Sequence, residues 1–346
     1  MTSAEFSSLP LLPVLLQSVE SLGYQQMTSI QQQSLPPMLA GKDVLARAKT
    51  GSGKTAAFGL ALLSQIDPLI YKTQALVLCP TRELAEQVSK EIRALARFMA
   101  NVKLLTLCGG SPIIHQVNSL EQAPHIVVGT TGRILDHLNR NTLSVETVKV
   151  LVLDEADEML DMGFIDDMKY ILGLMPTERQ GMFFSATFPP EIKKLCSNFL
   201  TDPQTISVKT RDTASSVEQD IIKVPREKKI DALHDILIKP ETTKVIIFRE
   251  TKRHVDELAR DLRARGFKAS GLHGDMRVRE RNRAVEGLSK GMIQVIVATD
   301  VAARGIDIPD VSHVINYDVP STYDTYIHRI GRTGRGSKTG IALTFV

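Results

Sequence analysis

The chain has 346 residues, of which 43% are hydrophobic and 23% charged, and its formal net charge is +3. This length favours two domains that each bury a core, and the composition is typical of a soluble globular protein rather than a disordered one. Aromatic residues make up only 5% and Trp is absent. Any contact with nucleic acid is therefore expected to use backbone phosphates more than base stacking.

Cysteine usage and the N-terminal sequence indicate a cytoplasmic protein without a membrane segment. Cys79, Cys108 and Cys196 are odd in number and far apart, so they form neither a metal-binding pattern nor a disulfide framework. The first basic residue is Lys42, which argues against the basic region of a signal peptide. The apolar stretch at 9–16 is too short and too rich in proline to span a bilayer.

In chain order, short runs of Val, Ile and Leu alternate with segments of helical periodicity such as "TRELAEQVSKEIRALARF" and "HVDELARDLRAR". Runs that are apolar on both faces are typical of buried parallel strands, and their alternation with helices predicts an α/β fold. The runs lie at 75–79, 125–129, 150–154, 182–186, 245–248, 295–299 and 313–317.

The first chemical motif is "AKTGSGKT" at 48–55, between an apolar segment and a helix-like one. Its small residues allow backbone N–H groups to surround a phosphate, Lys54 can reach the β and γ phosphates, and Thr55 can hold Mg²⁺. Ala48 departs from the strict pattern, which begins with Gly. The alternative is a glycine-rich turn that merely precedes a lysine.

The second motif, "VLVLDEAD", brings Asp154 to the end of a buried strand. There Asp154 can bind Mg²⁺ through water, and Glu155 can orient or deprotonate an attacking water. A helix N-cap followed by an acidic first turn is the alternative. Together with 48–55, the motif indicates an ATPase.

The polar, Ser/Thr-rich stretch "VKTRDTASSVE" at 208–218 predicts an interdomain linker. The predicted domains are 1–207 and 219–346, two similar α/β lobes whose sites lie at the carboxyl ends of the strands. Residues 251–283 hold ten Lys or Arg and five acids, a local charge of +5. This stretch is either a solvated helix face or a footprint for a polyanion.

Six motifs in order resemble the DEAD-box RNA helicases, and the resemblance runs from Phe6 to the last strand. They are "AKTGSGKT", "PTRELA", "DEAD", "SAT", "VATDVAARGID" and "HRIGRTGR". "LVLCPTRELAEQV" and "LLTLCGG" also resemble the bacterial DbpA-like subgroup. The resemblance implies two RecA-like domains, each a mostly parallel sheet with helices on both faces, and ATP and RNA bound across the cleft between them.

The resemblance also assigns the nucleotide contacts. Phe6, Tyr24 and Gln31 match the motif that reads adenine, and a carboxamide can pair with the adenine edge. Asp307 matches a residue that meets the ribose. The phosphate and Mg²⁺ contacts would come from Thr50, Gly51, Ser52, Gly53, Lys54, Thr55 and Asp154.

RNA contacts are carried over in the same way, and Ser185 and Thr187 match the motif that couples hydrolysis to strand separation. Contacts to phosphate and ribose carry little base information, so low sequence specificity is expected. The first-lobe RNA residues would be Pro80, Thr81, Arg82, Gly109, Gly110, Thr130, Gly132 and Arg133. The second-lobe RNA residues would be Thr251, Gly274, Asp275, Arg281, Thr299 and Arg304.

The segment "HRIGRTGR" at 328–335 supplies the second half of the ATP site in this resemblance. Arg332 and Arg335 would reach the γ-phosphate held by Lys54 when the lobes close, and His328 would couple the acids to the RNA side. If the segment is helical, residues three apart share one face.

Four positions depart from the family pattern. Thr131 stands where Pro is usual, Glu250 where Asn is usual, Val278 where Gln is usual, and Ser337 where Gly is usual. The first three put RNA affinity in doubt more than ATP chemistry.

The expected function is an ATP-dependent RNA helicase that opens short duplexes, a monomer whose partner is structured or duplex RNA. An ATP-gated RNA clamp or scaffold without productive unwinding is one alternative. A DNA motor of related architecture is another.

Overall fold

The computed structural model describes residues 5–48, 51–208, 217–303, 308–334 and 339–346, without the side chains of residues 278 and 324. The chain divides into two compact units, Met1–Val208 and Lys209–Val346. The predicted linker 208–218 spans this division, and its last two residues begin a strand. The domain boundaries 1–207 and 219–346 stay a prediction.

The first unit is built on a seven-stranded parallel sheet with the order β3-β4-β2-β5-β6-β1-β7. Its strands are β1 (Val44–Arg47), β2 (Ala75–Cys79), β3 (Leu104–Leu107), β4 (Ile126–Thr130), β5 (Val150–Asp154), β6 (Gln180–Ser185) and β7 (Gln204–Ser207). Its helices are α1 (Pro13–Ser21), α2 (Ser29–Leu39), α3 (Lys54–Leu63), α4 (Arg82–Leu95), α5 (Ile113–Leu120), α6 (Thr131–Asn139), α7 (Ala156–Asp161), α8 (Ile165–Gly173) and α9 (Pro190–Phe199). A short 3₁₀ helix covers Phe6–Ser8.

The second unit is built on a six-stranded parallel sheet with the order β10-β11-β9-β12-β13-β8. Its strands are β8 (Val217–Ile222), β9 (Val245–Phe248), β10 (Ala269–Leu272), β11 (Val295–Ala298), β12 (His313–Asn316) and β13 (Gly340–Phe345). Its helices are α10 (Lys229–Leu237), α11 (Lys252–Ala264), α12 (Val278–Ser289), α13 (Asp300–Ala303) and α14 (Tyr323–Ile330), with a 3₁₀ helix at Arg226–Lys228.

Each sheet is buried on both faces, which explains the continuous apolar runs of the central strands. In β2, Val77 packs into one core and its neighbours Leu76 and Leu78 pack into another. In β9, Ile247 and Phe248 likewise belong to different cores. Successive side chains of a strand point to opposite faces, so one run supplies both layers. The prediction of parallel sheets with helices on both faces is confirmed for each unit.

Candidate functional site

The loop between β1 and α3 depends on glycine. Gly51 has φ +79° and Gly53 has φ +87°, a backbone region that L side chains rarely adopt. A Cβ at Gly53 would lie 2.7 Å from Gln31 Nε2. α3 begins directly afterwards at Lys54, so the loop leads into a helix N-terminus, which favours anions.

Lys54 lies in a buried cluster with two carboxylates. Its Nζ is 2.7 Å from Asp154 Oδ1 and 3.0 Å from Glu155 Oε1. Burial opposes the charged form of Lys54, but attraction from Asp154 and then Glu155 outweighs burial and raises its pKa. Burial raises the pKa of Asp154 to about 6, although Lys54 acts in the opposite direction. Two carboxylates share one ammonium, so the cluster is left with excess negative charge.

The turn after β5 gives the two acids their positions. Asp154 is the last residue of β5, and Glu155 then takes the left-handed conformation with φ +56° before α7 begins. This strained conformation turns successive side chains toward the same loop. Asp154 Oδ2 is buried without a hydrogen-bond partner among the described residues. A buried, unpartnered carboxylate oxygen is the kind of ligand that Mg²⁺ prefers, and the hydroxyl-bearing Thr55 is also buried, as the second residue of α3.

Asp157 connects the end of β5 to the end of β6. Its Oδ2 accepts hydrogen bonds from Thr187 N at 2.8 Å and from Thr187 Oγ1 at 2.9 Å. The Asp157 backbone N–H donates to Ser185 Oγ, which in turn donates to the carbonyl of Thr187 at 2.6 Å. Ser185 and Thr187 therefore contact the acidic motif directly. The sequence predicted no role for Asp157, although this residue is the last of "DEAD".

The three residues matched to adenine recognition lie in the first unit. The rings of Phe6 and Tyr24 stack with centroids 6.4 Å apart. The Gln31 carboxamide accepts from Thr28 N at 2.8 Å and donates to Gly53 O at 3.0 Å. Gln31 thus joins this segment to the phosphate loop, while adenine recognition stays a prediction.

Several first-unit residues matched to RNA binding surround one turn. Thr81 caps α4 by accepting a hydrogen bond from Leu84 N, and Arg82 begins that helix. A Cβ on Gly109 would lie 3.1 Å from Arg82 Nη2, and Gly110 has φ +86°. Arg133 donates to the carbonyl of Ser111 at 3.1 Å. Pro80 lies directly after β2, while Thr130 ends β4 and Gly132 lies within α6.

Thr131, which replaces a proline, is fully buried as the first residue of α6. Its hydroxyl donates to Met159 Sδ at 3.3 Å. This contact joins α6 to α7, so the substitution replaces a fixed φ with a side-chain hydrogen bond.

In the second unit, Thr251, Gly274, Asp275 and Thr299 follow the carboxyl ends of strands, and Arg281 lies within α12. These described residues make separate contacts. Thr251 caps α11 by accepting from His254 N at 3.2 Å. Asp275 pairs with Lys252 at 2.6 Å. A Cβ on Gly274 would lie 3.8 Å from Lys252 Cε. Thr299 caps α13 by accepting a hydrogen bond from Ala302 N. Arg281 donates to the carbonyl of Ala302 at 3.5 Å. Lys252, which follows Thr251 as Arg82 follows Thr81, was not predicted as a site residue.

The arginine-rich segment begins within a helix and continues beyond it. α14 ends at Ile330, so Arg332 lies past the helix, and the condition that one helix carries the arginines is not met in the described residues. Gly331 caps the helix and Gly334 has φ +65°, which turns the chain away from the helical path. His328 and Arg332 line one pocket with Asp300 and Phe248.

Arg329 has a structural role in this unit. It makes a bidentate ion pair with Asp300, with distances of 2.6 and 2.8 Å. It also donates to Asn316 Oδ1 and to the carbonyl of Asp318, and its guanidinium lies over the Phe248 ring. A buried arginine with this many partners holds α13, α14 and β12 together.

Thr50, Arg304, Asp307 and Arg335 lie outside the described residues, as does Ser337. Within the described ranges, no helix is both long and apolar enough to cross a membrane. The same ranges contain no cluster of three or more His, Cys, Asp or Glu suited to a metal ion. All three cysteines are free and buried.

Two family models match the chain. The model described as DEAD/DEAH box helicase matches residues 28–195, and the model described as helicase conserved C-terminal domain matches residues 228–337.

Curated relatives match over almost the whole chain. ATP-dependent RNA helicase CshA of Listeria monocytogenes is 48% identical over 343 residues, which cover 99% of this chain and 66% of that protein. DEAD-box ATP-dependent RNA helicase CshA of Bacillus licheniformis is 46% identical over 333 residues, which cover 96% of this chain and 68% of that protein. The chain therefore spans about two thirds of the length of these relatives.

Solved structures are similar across both units. S. cerevisiae Dbp5 bound to RNA and ADP BeF3 is 32% identical with a TM-score of 0.88, over 99% of this chain and 89% of that chain. Mss116p bound to ssRNA and AMP-PNP is 29% identical with a TM-score of 0.90, over 100% of this chain and 75% of that chain.

Proposed function

Because the chain belongs to the DEAD-box helicase family and has two RecA-like domains, we propose that it is an ATP-dependent RNA helicase. RNA-stimulated hydrolysis of ATP would be coupled to closure of the two lobes and to local opening of short duplexes. Base-pair steps cost roughly 1–2 kcal/mol each in DNA, and RNA is expected to be of that order. Binding energy of several kcal/mol would then open a few pairs at a time.

The observation that carries this proposal is the buried cluster of Lys54, Asp154 and Glu155 beside a helix N-terminus. The loop through Gly51, Ser52 and Gly53 would surround the phosphates, and Thr50 belongs to the same motif. Lys54 would leave one of its carboxylate partners to bind the β and γ phosphates. Glu155, released from Lys54, would then orient the attacking water.

The donor set at this cluster fits Mg²⁺. Thr55 and Asp154 would hold the ion, Asp154 partly through water, and the excess negative charge of Asp154 and Glu155 over Lys54 favours a cation. When bound, Mg²⁺ would neutralise charge on the phosphate oxygens. The residues of the chain would supply position: the end of β5 fixes Asp154, and the first turn of α3 fixes Thr55.

The rest of the ATP site would come from other segments of both domains. Phe6, Tyr24 and Gln31 would recognise adenine, and Asp307 would meet the ribose. Arg332 and Arg335 would stabilise charge on the γ-phosphate, with His328 coupling the acids to RNA. Ser185 and Thr187, bonded to Asp157, would transmit the state of the site to the RNA side.

RNA would be held at the carboxyl ends of the strands of both sheets. The first-domain contacts would be Pro80, Thr81, Arg82, Gly109, Gly110, Thr130, Gly132 and Arg133. The second-domain contacts would be Thr251, Gly274, Asp275, Arg281, Thr299 and Arg304. We further propose a monomer that acts in the cytoplasm, since the buried free cysteines accord with a reducing compartment.

The test is ATP hydrolysis by the purified chain with and without duplex RNA, at a defined salt concentration. Glu155→Gln removes the carboxylate but keeps the side-chain size, and it is expected to abolish stimulated hydrolysis while ATP binding persists. Asp166→Asn, which changes an exposed carboxylate on α8, serves as the control. Equal rates with and without RNA would refute the coupling.

An ATP-gated RNA clamp is the second candidate, and Glu250 favours it. This exposed carboxylate follows β9, where RNA would pass, and its backbone N–H is held by Asp318 at 2.8 Å. A negative charge there weakens attraction for phosphates. A duplex-release assay distinguishes the two functions, because ATP-dependent RNA binding without strand release would support the clamp.

A further inference from the structure

A buried polar network joins α5 to α6 behind the turn at Gly109 and Gly110. Its centre is Gln116, which is 8% exposed, and its second member, His137, is fully buried. Both residues lie inside helices and outside the motifs that indicated function. Burying a carboxamide and an imidazole is unfavourable unless their hydrogen bonds are satisfied.

Gln116 makes three hydrogen bonds that fix the orientation of its carboxamide. Its Oε1 is 2.8 Å from Arg133 Nη1 and 2.9 Å from His137 Nε2. Its Nε2 donates to the carbonyl of Cys108 at 2.9 Å. A carboxamide oxygen only accepts, so both Arg133 and His137 must donate to it.

These contacts hold both ends of the glycine turn. Gln116 binds the carbonyl of Cys108, just before the turn, and Arg133 binds the carbonyl of Ser111, just after it. Gly109 and Gly110 lie between the two anchors. Since Gln116 also binds Arg133, the turn and the arginine are fixed to one another.

His137 supports this arrangement from the next turn of α6. It lies four residues after Arg133, on the same helix face. Its Nε2 carries the proton that goes to Gln116, and its Nδ1 is 2.8 Å from Thr142 Oγ1. Burial, and then the charge of Arg133, lowers the pKa of His137, which keeps the ring neutral near pH 7.

We propose that Gln116 and His137 are positioning residues that hold Arg133 and the turn Gly109–Gly110 in the geometry that binds the RNA backbone. This inference rests on the proposed function, because it assigns the RNA-binding geometry of that same protein. The phosphate ligand meets a fixed guanidinium and fixed backbone N–H groups, so little conformational freedom is lost on binding.

The experiment measures RNA affinity of the full chain by fluorescence anisotropy with a single-stranded RNA and a non-hydrolysable ATP analogue. Gln116→Leu keeps the side-chain size and removes all three hydrogen bonds. We expect its Kd for RNA to rise about tenfold, the effect of losing one charge-assisted contact. The slope of log Kd against log salt should fall by about 0.7 if one phosphate contact is lost.

A double substitution tests whether Gln116 acts through Arg133. If it does, Gln116→Leu combined with Arg133→Ala should lose less RNA affinity than the sum of the two single losses, because only the support of the turn through the Cys108 carbonyl remains to be lost. Additive losses would overturn the inference.

His137 provides an independent test that does not require Gln116→Leu to fold. His137→Phe removes the donor and should weaken RNA binding, whereas His137→Gln restores a donor and should recover most of the affinity. Equal affinities for these two variants would overturn the inference.

The matched control is Gln180→Leu. Gln180 is also buried and binds two carbonyls, those of Met38 and Lys42, but it begins β6 at the opposite end of the sheet from the strand ends that carry the site. Gln180→Leu should lower thermal stability and leave RNA affinity unchanged. A loss of RNA affinity equal to that of Gln116→Leu would overturn the inference.

Failure of the unaltered chain to bind RNA would refute the proposed function and this inference together. Normal binding by Gln116→Leu would refute this inference alone.

Discussion

Glycine at position 53 is required by two separate features of the phosphate loop. Its φ of +87° is unfavourable for other residues, and a Cβ would lie 2.7 Å from Gln31 Nε2. Left-handed backbone costs an L residue about 1–2 kcal/mol. We therefore expect Gly53→Ala to weaken binding of a fluorescent ATP analogue about tenfold.

Two variants separate these causes. Gln31→Ala in the Gly53→Ala background removes the close contact but leaves the backbone strain, so recovery should be partial. Gly173→Ala, at a position with open space and no positive φ, should leave nucleotide affinity unchanged. If Gly53→Ala bound the ATP analogue as tightly as the unaltered chain, the loop would not require glycine at position 53, which would contradict this prediction.

A buried histidine makes the first unit sensitive to acid. His125 is fully buried, and its Nδ1 accepts a hydrogen bond from the Lys103 backbone N–H at 3.0 Å. Burial lowers the pKa of His125. The unfolded chain, with a histidine pKa of about 6.5, then binds a proton more readily than the folded chain. Stability is fully present above that pH and falls as the pH drops below it.

His125→Asn isolates this contribution, because the Asn oxygen can accept the same hydrogen bond but does not titrate. Thermal melting of the full chain between pH 7.5 and 5.5 should show a smaller loss for His125→Asn than for the unaltered chain. Identical pH profiles for the two proteins would contradict the assigned role.

At the scale of elements, each sheet has a strand that is followed by a helix with a threonine N-cap. Thr81 follows β2 and caps α4, and Thr251 follows β9 and caps α11. Each threonine is followed by a cation, Arg82 or Lys252, at the helix N-terminus. The threonine cap therefore fixes the position of one basic residue at the carboxyl edge of each sheet.

Loss of the first cap gives a measurable effect on folding. Thr81→Ala removes the hydrogen bond to Leu84 N, and such a change costs about 1 kcal/mol. For a unit of this size, the expected fall in Tm is about 2–4 °C. Thr81→Ser keeps the acceptor and should retain most of the stability. Equal melting of the Ala and Ser variants would argue that α4 does not depend on its cap.

The apolar runs in the sequence all correspond to interior strands, namely β2, β4, β5, β6, β9, β11 and β12. The interior strands β1 and β13 were not among these runs, and neither were β3, β7, β8 and β10, which are the outer strands of their sheets. An outer strand pairs on one side only and is often exposed on one face; β7, for example, buries only Ile206. Such strands need no continuous apolar run, so the signal that revealed the others is absent.

The same distinction applies to the site. Lys54 and Asp154 were predictable because phosphate chemistry requires those residue types at fixed spacings. Gln116 and His137 act through a third residue, Arg133, and are brought together by the packing of α5 on α6. Their spacing in the sequence carries no chemical signal. Asp157 differs, because the sequence showed its place three residues after a strand but not its partner Thr187.

At the scale of the whole molecule, the proposed function divides the catalytic groups between two domains. Lys54 and the acids belong to the first unit, and Arg332 and Arg335 to the second. Nucleotide binding by the first unit should therefore survive changes in the second, while hydrolysis should not. An arginine finger contributes about 10³–10⁵ in rate.

Arg335→Ala is accordingly expected to reduce RNA-stimulated kcat at least about a thousandfold, while affinity for ADP changes little. Lys54→Ala should instead weaken nucleotide binding itself.

The coupling between the two ligands gives a further test. RNA must strengthen binding of an ATP analogue by the same factor as the analogue strengthens binding of RNA. For the unaltered chain that factor should lie at about 5–150, and Arg335→Ala should bring it toward one, since the arginine contributes only when both lobes engage the ligand. A coupling factor of one in the unaltered chain would mean that ATP and RNA bind independently, which would contradict lobe closure as the coupling step.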